Sequence, residues 1–434
     1  MRFVQIGLIS TFLAPAANGA EYPQIEQPAD EPVQQESPQH DRVVTPDIVE
    51  STNKADDDSV DVDNSIVVDT DKEKRWLLRA DIRGGYFSRD TDLRDGSDFS
   101  NDDVRFKGRL EADIGLRASN RLKIRLAGAC STDDCDPDFS LKSTTSTANS
   151  IVNGEITIDE AFYHRFTHRY DIAIGRLQTK FVARGGVIAK SMDRNDSHNM
   201  NINWTDGLHA TWKSRFGWTT NLILQRNDSE GSSSIRHAPL DFQRSDSRIT
   251  YFAAVENVQP WGPIVQRGLD VSYLPASLLK DGDRQGRIKD YWGVVGRFAA
   301  RWTMSEKRDM GFRVSGEIGY APETPTKQAN GTGGSGDSSG LGWAVTAALM
   351  DIRPGHSIGL NYGRMGAGWL LSPQYRPDEE LSEIRYVWRF GKNKTLEIRA
   401  RRRKELDQHV TAQNKRDDFD LFVRMTSRFT LLER

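Results

Sequence analysis

The chain alternates apolar and polar residues over many short segments that follow residue 75. In the segment YDIAIG at 170–175, Tyr170, Ile172 and Ile174 share one face and the residues between them share the other. Alternation with period two is typical of a β-strand that has one apolar face. The same pattern recurs along the chain, and it predicts an all-β protein.

Sixteen such segments are found, and an even number of strands is typical of single-chain bacterial barrels. The predicted strands are 76–88, 103–117, 121–130, 156–167, 169–178, 207–214, 218–226, 248–256, 267–274, 291–304, 310–320, 341–352, 356–364, 383–390, 394–403 and 418–429. Either face of the fourth strand mixes apolar and polar residues, so its orientation stays open. Short links, such as ASN and RPG, alternate with long ones, such as the Asp-rich DTDLRDGSDFSND. Alternating turns and loops predict a transmembrane antiparallel β-barrel over residues 73–434.

The N-terminal region differs from the rest of the chain. Residues 1–20 combine Arg2, an apolar run and small residues, which is typical of a secretory signal peptide. Residues 21–72 carry a net charge of −12 with few aromatic side chains, so we expect a disordered acidic periplasmic segment. The alternative is an acidic gate that reaches into the barrel. The whole chain has a net charge of −3. Subtracting the −12 of residues 21–72 and the +1 of Arg2 leaves a net charge of +8 for residues 73–434.

Arginines recur on the polar faces of the predicted strands. A charge on the lipid face costs about 2–4 kcal/mol near the bilayer midplane, so these side chains are expected to face the lumen. The arginines nearest the strand midpoints are Arg83, Arg109, Arg125, Arg297, Arg399 and Arg424. A belt of guanidinium groups favours anions such as carboxylates and phosphates. The alternative is a structural lining in which arginines and acids neutralise each other around a non-selective pore.

The third long loop is the candidate constriction. It contains Gly185-Gly186, which permits a sharp turn, and the basic residues Arg184, Lys190 and Arg194. Loops of this length are uncommon in compact domains and are usually functional. The alternative is a surface loop that contacts lipopolysaccharide.

Cys130 and Cys135 lie five residues apart at the end of a strand. In an oxidising compartment this spacing predicts a small disulfide loop. The alternative is a metal site with Asp133, Asp134 and Asp136, but no histidine or second cysteine pair accompanies them.

The segment DEAFYHRFTHRYDIAIGRLQTKF, followed by ARGGVIAKSMDRNDS, resembles the strand-turn-strand and third loop of outer-membrane porins. The phosphate-selective porins O and P are among the proteins with this arrangement. The final strand FDLFVRMTSRF resembles the aromatic-ended assembly signal of such barrels, although TLLER follows Phe429. The resemblance implies a third loop folded into the pore and a homotrimer in the Gram-negative outer membrane.

The sequence therefore favours a porin for passive diffusion of small anionic solutes, in contact with outer-membrane lipid and lipopolysaccharide. An export channel for an acidic polysaccharide is the alternative, since a uronate chain would also suit an arginine-rich lumen. An enzyme is disfavoured because no nucleophile and base stand at a recognisable spacing. We expect no cofactor, no bound metal and no nucleic-acid partner.

Overall fold

The computed structural model describes residues 76–434 except 118, 137, 140, 142–152, 180, 189–204, 228–239, 241–247, 284, 306–309 and 373. The predicted signal peptide and acidic segment lie outside these residues. The strands are β1 (Trp76–Asp92), β2 (Asp98–Arg117), β3 (Asn120–Ser131), β4 (Asp138–Phe139), β5 (Glu155–Phe166), β6 (Tyr170–Leu177), β7 (Thr205–Lys213), β8 (Trp218–Asn227), β9 (Arg248–Asn257), β10 (Ile264–Leu279), β11 (Ile288–Ser305), β12 (Met310–Tyr320), β13 (Leu341–Arg353), β14 (His356–Met365), β15 (Glu379–Phe390), β16 (Lys394–Glu405) and β17 (Asp417–Glu433).

The sheet closes on itself. Apart from the two-residue β4, each strand pairs antiparallel with its neighbours in sequence, and β17 pairs with β1 through sixteen residue pairs from Leu77–Glu433 to Asp92–Asp417. Strand β4 lies in the link after β3 and pairs in parallel with the start of β5. The prediction of a closed, sixteen-stranded antiparallel barrel is confirmed for the described residues.

The two faces of the sheet differ as the alternation predicts. Ile82 and Phe106 are 54% and 51% exposed, whereas Arg83 and Arg105, one residue away from each, are 7% and 5% exposed. Since exposed apolar side chains cover the outside, hydrocarbon can surround the barrel while the polar face encloses the interior. No helix in the described part of the chain is long and apolar enough to cross a membrane.

Link length alternates between the two ends of the barrel. At the end where β1 begins, the links between strands are two to six residues long. At the other end they run from 8 to 27 residues, except that the first link is only Leu93–Ser97. The expected long Asp-rich loop after β1 is therefore mostly strand, because β1 and β2 stay paired out to Asp92 and Asp98. A barrel of this kind places its short turns in the periplasm and its long loops outside the cell.

A β-bulge explains why β5 has no readable alternation. Arg125 pairs with Glu160 and the next residue, Leu126, pairs with Ile158, so Asp159 is an extra residue in β5. A bulge places two successive side chains on one side of the sheet. As a result Asp159 and Glu160 are both buried inside, at 0% and 4% exposure.

Candidate functional site

The interior face of β2, β3 and β5 carries a dense cluster of ion pairs around the bulge. Arg125 donates from Nε and Nη2 to the two carboxylate oxygens of Asp159, both at 2.9 Å. Arg109 reaches the same carboxylate at 3.3 Å, and Lys123 lies 2.9 Å from Glu160 and 3.0 Å from Glu111. Charges inside a protein need such partners to offset their desolvation.

The remaining arginines of the predicted belt also have carboxylate or aromatic neighbours. Arg83 donates to both oxygens of Asp81 at 2.7 and 2.9 Å. Arg424 donates to Glu397 at 2.6 Å, and the Arg399 guanidinium lies 4.9 Å from the Phe422 ring centre. Arg297 pairs with Glu317 at 2.9 Å and with Asp270. These contacts hold the guanidinium groups in fixed positions.

The six arginines are unevenly distributed around the barrel. Arg399, Arg424, Arg83, Arg109 and Arg125 lie on the consecutive strands β16, β17, β1, β2 and β3. Arg297 lies on β11, well away from the other five in the strand order. We call the interior face of β16, β17 and β1–β3 the basic wall.

A segment of the third long loop, residues 181–188, lies inside the barrel; we call it the crossing segment. At one end Phe181 packs with Ile223 of β8 and Phe252 of β9, with 4.6 Å between the phenyl ring centres. The Gln266 side chain of β10 donates to the Val182 carbonyl at 3.0 Å and accepts from the Arg184 backbone N–H at 2.7 Å. Backbone groups buried in the interior are satisfied in this way.

The other end of the crossing segment packs against a different part of the wall. Val187 and Ile188 form an apolar cluster with Ala348 and Met350 of β13 and Val387 of β15. The two glycines between these anchors fit closely, since a Cβ on Gly186 would lie 2.7 Å from the Met350 sulfur. Gly186 also has φ +86°, a conformation that side chains disfavour. Glycine therefore allows the segment to approach the wall.

Arg184 lies between the two anchors of the crossing segment and differs from the belt arginines. Its side chain is exposed, and within the described residues its guanidinium has no ion-pair partner. Lys190 and Arg194, the other two basic residues assigned to the constriction, lie outside the described residues. Among the residues of this loop that the structure describes, Arg184 is thus the basic side chain exposed to solvent.

A second loop enters the interior, and sequence reasoning missed it. In the link between β14 and β15, residues 366–378, the side chains of Trp369, Leu370 and Leu371 are at most 1% exposed. The Tyr291 hydroxyl of β11 donates to the Gly368 carbonyl at 2.8 Å and accepts from the Leu370 N–H at 2.9 Å. The signal in the sequence was the apolar triplet WLL in the link between two strands.

The structure joins Cys130 to Cys135 by a disulfide, with 4.6 Å between the two Cα atoms. The bond closes the first turn of the link after β3. Among the described residues, no group of three His, Cys, Asp or Glu side chains is placed to hold a metal ion.

One carboxyl group at the outer mouth has a shifted pKa. Asp378, at the end of the 366–378 link, accepts hydrogen bonds from the Asp407 N–H at 3.2 and 3.3 Å. Burial and then the nearby Asp407 charge raise the pKa of Asp378 to about 7. Its charge therefore changes within the physiological pH range.

Comparison with known proteins supports the fold. No protein-family model matches the sequence, and no curated protein matches it. Among solved structures, OprB of Pseudomonas putida is similar with a TM-score of 0.52 and 10% identity, over 82% of this chain and 94% of that one. An anion-selective porin from Comamonas acidovorans (TM-score 0.48, 10% identity, 82% and 100% covered) and OprD of Pseudomonas aeruginosa (0.45, 11%, 82% and 96%) are more distant in structure. The chain has the fold of an outer-membrane porin, as the sequence resemblance predicted.

Proposed function

We propose that the protein is a porin that admits small hydrophilic solutes by passive diffusion and prefers anions. The observation that carries this proposal is the crossing segment, which is anchored inside the barrel at both ends and presents Arg184 between its anchors. A segment in this position narrows the path for solutes. Its exposed guanidinium offers a positive charge to a passing anion.

The basic wall is expected to contribute less to the preference for anions than Arg184 does. Arg125 and Arg83 are held by carboxylates, so their charges are largely balanced and act as a fixed polar lining. Arginine suits this position because its planar donor group can bind a carboxylate and still offer further N–H groups. Selectivity is therefore expected to depend more on Arg184 than on any single arginine of the wall.

A small solute fits this interior better than a polymer does. Residues 181–188 and residues 369–371 of the 366–378 link occupy the interior alongside the strands. An exporter of an acidic polysaccharide needs a continuous path for a bulky chain, and both segments would have to leave the interior during transport. The proposed substrates are accordingly small anions, including carboxylates.

The test is the zero-current potential of single channels in planar bilayers under a tenfold KCl gradient. Arg184→Ser is compared with the wild type and with Arg215→Ser, which removes an exposed arginine from a short turn. A unit charge about 4 Å from an ion contributes about 1 kcal/mol in water, so the anion-to-cation permeability ratio should fall about fivefold in Arg184→Ser. Arg215→Ser should stay near the wild type. An unchanged ratio in Arg184→Ser would reject the assignment of this residue as the filter.

A further inference from the structure

Three of the long links join one another at the outer mouth of the barrel. They are residues 321–340, 366–378 and 406–416. The Gly368 N–H donates to the Ser339 carbonyl at 2.8 Å, which joins the second link to the first. The Val410 N–H donates to the Gly331 carbonyl at 2.8 Å, which joins the third link to the first. We call these three links the outer cap.

The outer cap extends into the interior through the 366–378 link. Trp369, Leu370 and Leu371 belong to a buried cluster that also contains Leu274 of β10 and Tyr291 of β11. These three side chains therefore occupy space that solutes would otherwise use. Release of the link from the outer cap would let them leave the interior and would widen the path.

Asp378 forms the contact between the 366–378 link and the 406–416 link. Its backbone carbonyl accepts a hydrogen bond from the Leu406 N–H at 3.0 Å, and its carboxyl oxygens accept from the Asp407 N–H at 3.2 and 3.3 Å. The residue is 6% exposed and has φ +59°, a left-handed conformation that aspartate and asparagine tolerate better than most residues. The outer end of the inserted link is therefore fixed at one buried acidic side chain.

The carboxyl group of Asp378 has no ion-pair partner among the described residues. The charged groups around it come from its own link, the neighbouring links and the adjoining strands, and they are Arg94, Lys327, Arg364, Arg376, Glu379, Glu405, Asp407 and Lys415. The arginines are engaged with other carboxylates, namely Arg94 with Glu405 at 2.7 Å, Arg364 with Glu380 at 2.9 Å and Arg376 with Asp418. Ionising a buried carboxyl group without a cation beside it costs free energy.

We propose that the outer cap is a pH-sensitive gate and that the carboxyl group of Asp378 is its switch. The neutral carboxyl group stays beside Asp407 and keeps the 366–378 link in the outer cap, with residues 369–371 inside the barrel. The ionised group is repelled by the Asp407 carboxylate and is better solvated by water, so the link is released. The gate is therefore closed in acid and opens as the pH rises through neutrality.

The size of the effect follows from the proton that the docked link holds. Burial and then the nearby Asp407 charge raise the pKa of Asp378 to about 7, whereas a released, hydrated Asp378 returns to its ordinary value of 3.8. The docked link thus binds a proton that the released link has lost, and release is favoured as the pH rises. Between pH 5 and pH 8.5 the ratio of released to docked link should increase about a hundredfold.

The experiment is thiol labelling of Leu371→Cys in the detergent-purified protein at pH 5 and pH 8.5. The native cysteines are joined in a disulfide, and Leu371 is 0% exposed, so a thiol at 371 reacts only when the link is released. Phe216→Cys, at a site 81% exposed in a short turn, corrects for the ionisation of the thiol itself. The corrected labelling rate should rise about a hundredfold with pH, and less than about threefold when Asp378→Asn is added. Asp283→Asn, which removes an exposed acid from the 280–287 link, should leave the hundredfold rise intact.

Single-channel conductance is recorded at the same two pH values and needs no introduced cysteine, so the proposal stays testable if Leu371→Cys does not fold. Conductance should rise with pH in the wild type and stay constant in Asp378→Asn. A labelling rate that does not depend on pH, or the same pH dependence in Asp378→Asn, would overturn the switch. A change in labelling without a change in conductance would overturn the gate. Ion preference is measured at pH 5 in the same channels, so a failure of the porin proposal is seen separately.

Discussion

Replacing Gly186 by leucine should release the crossing segment from the wall. The residue has φ +86°, and a Cβ at this position would lie 2.7 Å from the Met350 sulfur and 3.2 Å from Cδ of Arg313. The left-handed conformation costs a side chain about 1–2 kcal/mol, and overpacking typically costs about 1–3 kcal/mol. The anchor formed by burying Val187 and Ile188 contributes about 1.5–3 kcal/mol for each side chain. The free-energy cost of the leucine is therefore similar to the stabilisation from burying Val187 and Ile188. The state in which the crossing segment has left the wall should be well populated.

Single-channel recording measures this displacement. The Gly186→Leu channel should show higher conductance, transitions between two levels and a smaller preference for anions. The control is Gly391→Leu, because Gly391 has φ +65° in a short turn where a Cβ would have no neighbour within 4 Å. This control carries the same backbone strain without the contact, and its conductance should match the wild type. Wild-type conductance and selectivity in Gly186→Leu would refute the assignment of this segment as the constriction.

Two further changes test the charged groups. Asp159→Asn removes the carboxylate that Arg125 and Arg109 share, while Arg125 keeps Glu160 at 3.2 Å. The free energy of unfolding in urea should therefore fall by about 1–3 kcal/mol, and a loss below about 0.5 kcal/mol would contradict the importance of this ion pair. The pKa of Asp378 is raised to about 7 in the folded chain, so the folded state binds a proton that the unfolded state has released, and stability should fall as pH rises from about 4 to 7. The measurement is the midpoint temperature of thermal unfolding at pH 5 and pH 8, and the decrease between these two values should disappear in Asp378→Asn. An identical pH dependence in the wild type and the variant would contradict the assignment.

The strands were predictable from the sequence because every strand of a barrel needs apolar residues on its outward face and polar residues on its inward face. An outward residue such as Ile82 meets hydrocarbon and an inward one such as Arg83 meets a polar interior, so the period of two is present wherever a strand crosses the membrane. Strand ends were less predictable. Beyond the hydrocarbon both faces tolerate polar residues, and β1 and β2 continue through Asp90 and Asp102 without any change that alternation can detect.

The interior was less predictable than the wall because it depends on distant parts of the chain. The bulge at Asp159 became visible only through the pairing of β5 with β3. The entry of Trp369 and Leu371 into the interior depends on Tyr291 and Gly293, which lie more than seventy residues earlier and offer a hydroxyl partner and a space without a side chain. The glycine pair at 185–186 was a usable signal for the crossing segment, but its anchors Ala348 and Met350 could not be assigned from the sequence.

The most direct test of a charged interior narrowed by the crossing segment is chemical blocking of single channels. The native cysteines are joined in a disulfide, so a cysteine introduced at Arg184 or at Ile82 is the reactive thiol. A membrane-impermeant, negatively charged thiol reagent should reduce the current stepwise in Arg184→Cys channels and leave Ile82→Cys channels unchanged. Current block in Ile82→Cys channels, or an unaffected Arg184→Cys channel whose labelling is confirmed by mass spectrometry, would contradict the account.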